Sequence, residues 1–523
     1  MLFRSAAQAE IIDERDKAIA TRKKEVEIHQ RDIANKIEEI KHLKELLQLA
    51  RHRAFASSSE RHVDQLSLFN EAEDQTATGL TPDPDDEIEV KYKRKRKPKR
   101  SPIPSHIPRE DIHYDLVDEE KSCPCCGEEL SPMGEVVSEQ LDIIPARVSA
   151  KRHIRKKYGC NKCKQTVKTA TMPKQPIPKS LASPGLLATI CVNKYADGMP
   201  LFRQESILMR AGIELGRTTM ASWMIKLGEL FTPLYNILRD DLLDRKLIQM
   251  DETSVQVLKE PGRKAQTKSF IWVMASGRHG QDPPIILFHY DPSRSSKVPR
   301  ALLADWRGYL VTDGYDGYGA VVLSNNLIHC GCFDHVRRKF KDVIKSRPKG
   351  ASPGLADEAL WYLQRLYNIE RRIKRDSSKH RLKIRNLYSR SVLDHFRRWL
   401  DRVIDSVRPT SSTGKALHYL ASEWPKLVRI LENGDVPLSN ELCENAIRPF
   451  VIGRKAWLFS ASQAGAKSSC MIYSIIETAK ANGHEPYAYL RYIIERLPNC
   501  ENLEDFEALL PYRVSPEACA AAL

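Results

Sequence analysis

The sequence predicts a multidomain chain of mixed α+β class, and three observations carry that reading. Apolar residues near the N-terminus recur every seven positions, two Cys-x-x-Cys pairs follow, and the second half alternates strand-like and helix-like segments. At 523 residues the chain has room for roughly two to four domains. Its formal net charge of +15 favours a polyanionic partner, nucleic acid being the usual one. No apolar run approaches the roughly 18 residues of a membrane-spanning helix, and the opening Met1-Leu-Phe meets Arg4 at once, unlike a secretory signal. The 12 cysteines are sparse and partly paired at metal-ligand spacing, so a reducing, cytoplasmic setting is expected.

Residues 1–55 read as one helix without Pro or Gly beyond Ala7. Ile12, Ile19, Val26, Ile33, Ile40 and Leu47 form one heptad seam, while the partner seam (Arg15, Arg22, His29, Lys36, Leu43, Ala50) is poor. Weak self-association through a leucine-zipper-like coiled coil is expected; a single amphipathic helix packed on its own protein is the competing reading. Residues 56–110 are a linker, acidic first and then basic, with eight Lys or Arg among the ten residues from Lys91 to Arg100. Such an arm either follows a DNA backbone or neutralises the acidic stretch before it.

Residues 111–170 hold Cys123-Pro-Cys-Cys126 and Cys160-Asn-Lys-Cys163. Two such knuckles facing across a short sheet make a four-thiolate structural Zn²⁺ site, a zinc ribbon, with strands expected near 135–144 and 150–157. Cys125 is a spare thiol. Arg152, Lys156 and Lys157 crowd the second knuckle and suit phosphate contact. Residues 180–245 turn helical. Leu201 to Arg210, a Gly-containing turn, and Thr218 to Phe231 form a helix-turn-helix candidate, capped by Thr218 and Thr219 and flanked by Arg217. Generic helix packing accounts for the pattern nearly as well.

From 246 to 355 the order is three strands, helix, strand, helix, strand, helix, the order of a ribonuclease-H-like catalytic core. In that fold the first and fourth strands are neighbours. The first, from Lys246, runs into Asp251, and a turn-prone loop is expected after it; the fourth closes on Asp313. Carboxylates at the exposed ends of buried strands are costly unless something there needs their charge. Residues 356–432 read as a separate helical insertion, with Leu393, Phe396, Leu400, Val403 and Val407 on one face. Residues 433–498 complete the core with a helix from about Ser439 carrying Glu444, and 499–523 form a C-terminal tail. Asp251, Asp313 and Glu444 on separate elements can hold two divalent cations, which then cut or join phosphodiester bonds. Oxygen ligands suit Mg²⁺ or Mn²⁺.

The ordered motifs resemble a known family, the transposases of the insertion sequence sixty-six group within the DDE class. They include Glu139-Gln-Leu-Asp-Ile-Ile-Pro-Ala-Arg147, Lys194-Tyr-Ala-Asp-Gly-Met-Pro-Leu-Phe-Arg-Gln204, Asp251-Glu-Thr and Thr312-Asp313-Gly-Tyr-Asp-Gly-Tyr318. Cys332-Phe-Asp-His335-Val-Arg337-Arg338, Gly453-Arg454-Lys455-Ala-Trp457 and Glu477-Thr-Ala-Lys-Ala-Asn-Gly483 continue the likeness. The resemblance implies a polynucleotidyl transferase that cleaves its element's terminal repeats and joins them to target DNA, as a homo-oligomer and with small accessory proteins of the same bacterial element. It implies Asp251, Asp313 and Glu444 as the catalytic triad. Ser439 stands where the family commonly has Asp, and Glu441 where it has Asn, so Glu441 is a second candidate for the third ligand. His335 and Arg338 are candidates for the scissile phosphate; Arg448, Arg454 and Lys455 suit the DNA backbone, and Trp457 fills the core or stacks on a base. An inactive zinc-ribbon regulator, or a nuclease of the same fold, is the alternative.

Overall fold

The computed structural model describes residues 148–159, 167–277, 282–348 and 350–521, with Cys125 and scattered helical positions between Arg22 and Leu47. Two units are distinguished, one of residues 78–171 and one of residues 1–77 with 172–523. The Zn²⁺ candidates Cys123, Cys126, Cys160 and Cys163 and the basic arm lie outside the described residues. In the smaller unit, β1 (Lys157–Gly159) pairs antiparallel with β2 (Val167–Thr169), Lys157 opposite Thr169. These strands bracket the second knuckle. Residues 150–156, expected as strand, have no regular structure, because β2 is too short to pair with them.

In the larger unit the described seam positions Val26, Ile33, Ile40 and Leu47 are helical and more than half exposed. Between residue 172 and the sheet lie α1 (Pro184–Tyr195), α2 (Leu201–Arg210), α3 (Arg217–Leu230) and α4 (Thr232–Leu243). Pro184 at the first turn and the Ser183 hydroxyl, which accepts from the Leu186 amide at 3.2 Å, start α1. The turn between α2 and α3 needs Gly212, whose φ of 78° is left-handed. Thr218 and Thr219 do not cap α3. Gly216 holds that position, and the Arg217 amide donates to Glu205 Oε1 at 3.0 Å.

The sheet has the order β5-β4-β3-β6-β7. β3 (Leu247–Lys259), β4 (Lys268–Ser276) and β5 (Ile285–Asp291) form an antiparallel meander. After α5 (Lys297–Leu303), β6 (Tyr309–Val311) pairs parallel to β3. After α6 (Gly319–Asn325), β7 (Ile328–Cys330) pairs parallel to β6. First and fourth strands are thus adjacent, as the strand order predicts. β3 does not end at Asp251, however. The alternation Thr253, Val255, Val257 carries it on to Lys259, paired with β4 through Gln256. β6 is what stops: its last partner is Gln249, so Asp251 stands where the parallel neighbour has ended.

α7 (Phe333–Ser346), α8 (Leu355–Ile373), α9 (Ser378–Ile384), α10 (Arg390–Val403) and α11 (Ser412–Leu427) follow. The insertion packs against the sheet and α7. Leu363, Phe396, Trp399, Leu417 and Leu420 share one apolar cluster with Val311 of β6, Cys330 of β7 and Phe333, Val336 and Phe340 of α7. Those strands and that helix would otherwise expose their apolar side, so the insertion is part of the core.

α12 (Glu441–Trp457) returns to the sheet; β8 (Ser460–Ser462) then pairs parallel with the far end of β3, Val257 opposite Ser460. α13 (Gln463–Ala481) lies along the edge strand β5. Ser474 Oγ accepts from the Phe288 amide at 2.8 Å, and Thr478 Oγ1 both accepts from Ile286 N at 3.0 Å and donates to Ile286 O at 2.9 Å. Asn482 Nδ2 donates to Pro284 O at 2.8 Å. Spaced by four, these residues share a helix face and satisfy the outward backbone groups of a sheet edge. α13 also crosses α3 at Gly228, where a Cβ would meet Ser468 Oγ at 2.4 Å. α1, α3 and α4 therefore belong to the same apolar cluster as the meander and α13. α14 (Pro486–Arg496), α15 (Leu503–Glu507) and α16 (Pro516–Ala521) end the chain.

Candidate active site

Four elements converge on the end of β6. β3 supplies Asp251 and Glu252, whose amide donates to Asp251 Oδ1 at 2.8 Å. The loop after β6 supplies Asp313, turned back on itself by the Tyr315 amide at 3.0 Å from Oδ1. Buried Thr312 fixes the same loop: its hydroxyl donates to Asp313 O at 2.8 Å and so accepts from His329 Nε2 of β7, also at 2.8 Å. α7 supplies His335 and Arg338. α12 supplies Glu444, whose position is set by Asn440, a fully buried residue donating to Met250 O at 2.8 Å beside Asp251.

The charges are crowded. Burial, then the carboxylates of Glu252 and Asp313, push Asp251 well above the ordinary carboxylate range. Glu252 is raised by burial and by Asp313, against hydrogen bonds from Tyr318 OH at 2.7 Å and Arg294 Nε at 2.8 Å. Burial also raises Asp313, opposed by the Tyr315 amide, Arg294, Lys426 and Arg338. Arg338 is the common neighbour. It acts on Asp251 and Asp313, and its Nη2 lies 3.7 Å from Glu444 Oε2. His335 Nδ1 lies 3.6 Å from Glu444 Oε1, and burial with Arg338 and Lys339 lowers its pKa to about 3, so the ring is neutral.

Asp251 and Asp313 thus meet, and Glu444 joins them through Arg338. Glu444 is 5% exposed. Glu441 is half-buried on the same helix, where its Oε1 accepts from Asn445 Nδ2 at 3.2 Å. Among the described residues, the cluster whose ligand atoms all fall within 4.8 Å is Cys332, His335 and Glu444. Burial, chiefly, pushes the Cys332 thiol well up, and its sulfur accepts from Asn440 N at 3.3 Å. Asp251, Asp313 and Glu444 carry oxygen donors, the kind that a hard divalent cation prefers.

The basic candidates divide by exposure. Arg152, Lys156, Lys157, Arg217 and Lys455 are exposed, whereas Arg448 is half-buried. Arg454 is turned onto β3, donating to Ser254 O and lying 3.3 Å from Thr253 Oγ1. Trp457 packs with the core, edge-on to Tyr195 and 4.0 Å beneath Lys194 Nζ. Sequence reasoning assigned no role to Glu252, Arg294, Tyr318, His329 or Lys426. Glu252 had a signal, a second carboxylate inside a strand; the others carry none that spacing reveals.

A family profile described as "Transposase IS66 family" matches residues 179–468. Profiles described as the "zinc-finger binding domain of transposase IS66", the "IS66 C-terminal element" and "Transposase C of IS166 homeodomain" match residues 120–164, 474–512 and 42–112. The chain is 31% identical over 420 residues to the uncharacterized protein y4jD of Sinorhizobium fredii, covering 78% of this chain and 81% of that one. It is 30% identical over 436 residues to y4qI of the same organism, covering 80% and 79%.

Proposed function

Because the chain belongs to the IS66 transposase family, we propose that it cuts the ends of an insertion sequence and joins them to target DNA by a two-metal DDE mechanism in a ribonuclease-H-like core. The observation that carries this reading is the meeting of Asp251 on β3 with Asp313 in the loop just past its parallel neighbour β6, with Arg338 beside both and beside Glu444. Asp251, Asp313 and Glu444 would hold two Mg²⁺ or Mn²⁺, with Glu441 the lesser candidate. When bound, such ions supply Lewis-acid charge at the attacked phosphorus and at the leaving oxygen.

The protein's own groups do the rest. Tyr315 N–H and the Thr312–His329 pair fix the bearing of Asp313, and Asn440 fixes that of Glu444. Arg338, drawn to Glu444, offers a guanidinium that a phosphate oxygen can share. Neutral His335 can hydrogen-bond without adding charge. Exposed Arg217 and Lys455 suit the duplex backbone, with Arg448 and Arg454 behind them. In the zinc-finger region, Cys123, Cys126, Cys160 and Cys163 would hold one structural Zn²⁺, with Arg152, Lys156 and Lys157 toward DNA. One Zn per chain by elemental analysis, lost in Cys160→Ser, is expected. The N-terminal helix would pair copies of the chain, an oligomer that light scattering should lose on its deletion, with accessory proteins of the element as further partners.

The test is cleavage and strand transfer on labelled element-end DNA with Mg²⁺ or Mn²⁺. Asp251→Asn, Asp313→Asn and Glu444→Gln should bind DNA yet form no joined product, a loss of at least about 100-fold. A dead Glu441→Gln with an active Glu444→Gln would reassign the third ligand. Wild type that cuts without joining would sink the transposase chemistry.

A further inference from the structure

The helical insertion contains a groove that the chemistry above does not use. It has a volume of about 740 Å³ and lies between α8, α10 and the π-helical turn Arg385–Ser389 that links α9 to α10. We propose that this groove binds a DNA strand with unstacked bases, the aromatic rings taking bases and the arginines taking phosphates. The proposal rests on the reading of the protein as a DNA-joining enzyme and assigns that reading a second contact site.

Two rings at the groove are more than half exposed, Trp361 at 53% and Tyr388 at 55%. Arg365 and Arg372, also exposed, share the α8 stripe with Trp361; the Arg365 guanidinium lies 4.4 Å from the Trp361 ring. His395 faces them from α10, and among the described residues no carboxylate lines the groove. The segment 361–395 carries ten Lys and Arg against three Asp and Glu, a net +7 with His neutral. Aromatic faces interleaved with arginines are what a single strand needs, since every base has a π-face and every nucleotide a phosphate.

The platform is rigid. Arg385, fully buried, grips Glu370 of α8 through Nε at 2.7 Å and Nη2 at 2.8 Å, and bonds the carbonyls of Ile430 and Asn433 at 3.2 and 3.1 Å. That anchor holds the π turn against α8 and leaves Leu387 and Tyr388 projecting outward. Such turns recur at functional sites. Beneath Trp361, Tyr362 stacks on Phe396 at 4.9 Å, tying the rim to the apolar cluster. The opposite side of α8 meets α7, where Tyr367 bonds Asp334. The groove is therefore a helix away from the carboxylates and would hold DNA flanking the cut.

The experiment uses the full chain and a single-stranded oligonucleotide carrying 2-aminopurine, whose fluorescence falls on stacking, with wild-type strand transfer assayed in parallel. Wild type should quench the probe. Trp361→Ala and Tyr388→Ala should bind about tenfold more weakly and lose the quench, while Trp361→Phe keeps most of both. Arg365→Ala and Arg372→Ala should each lower the slope of log Kd against log salt by about 0.7. Melting curves check folding, and the Phe variant keeps the test open if an Ala variant unfolds. Wild-type binding and quenching in the Ala variants, with strand transfer intact, would overturn the groove alone. Wild type that neither binds the probe nor joins DNA would overturn both readings. Displacement by polyglutamate but not by unlabelled DNA would give the groove to an acidic protein and end the proposal.

Discussion

Asp251 pulls stability and chemistry in opposite directions. Burial and two neighbouring carboxylates penalise its charge, so in metal-free buffer Asp251→Asn should melt higher than wild type, by about 2 °C or more, while joining no DNA. Equal or lower melting would mean that the crowding costs nothing. His329 gives a pH signature. Burial lowers its pKa to about 4, below the ordinary imidazole value near 6.5, so the folded state favours the neutral ring. Its contribution to stability is complete above about pH 6.5 and is lost as the pH falls through the folded value. His289 and His335 are lowered in the same sense, so a difference measurement is needed. His329→Gln, which can still donate to Thr312, should lose less melting temperature than wild type between pH 7 and pH 5. Parallel curves for the two proteins would refute the assignment.

At the scale of elements, the seal of α13 on β5 carries its own prediction. Thr478→Val keeps the shape but removes both bonds to Ile286, leaving an edge amide and carbonyl unsatisfied. A cost of about 1–3 kcal/mol is expected in chemical denaturation, with aggregation on storage as the edge opens. A change below about 0.5 kcal/mol would show that the edge is satisfied otherwise. Much of the order was legible because periodic patterns are local: α2 spans Leu201–Arg210 as the sequence puts it, and the strands and helices from β3 to α7 follow the expected order. β3 runs on past Asp251 to Lys259, although in the sequence a carboxylate reads as a strand end. Nothing local says that the neighbour β6 ends instead. Thr218 looked like a cap, but the cap geometry belonged to Gly216 and a distant Glu205. Asp251 and Asp313 were readable from strand order, whereas Arg294 and Lys426 reach the site only through tertiary packing.

For the larger unit as a whole, the insertion and the sheet stand or fall together. Val311, Cys330, Phe333, Val336 and Phe340 share their cluster with α8, α10 and α11. Replacing residues 356–432 by a short Gly-Ser linker would strip that apolar surface, at about 25 cal/mol for each Å² exposed. The shortened protein should be insoluble or bind hydrophobic dye. A soluble, cooperatively melting product would show that the insertion is an independent domain after all. No helix among the described residues is long and apolar enough to cross a membrane.

α12 is fastened to β3 at both ends, by Asn440 on Met250 O and by Arg454 on Ser254 O. Glu444 sits between the two ties, so its bearing is inherited from β3 and not from the long stretch of chain that precedes it. Loops far from the shared cluster, such as the turn before α9, can change in length or composition while Glu444 stays in register. The outer surface of the unit can therefore change while the carboxylate of Glu444 keeps its place over β3.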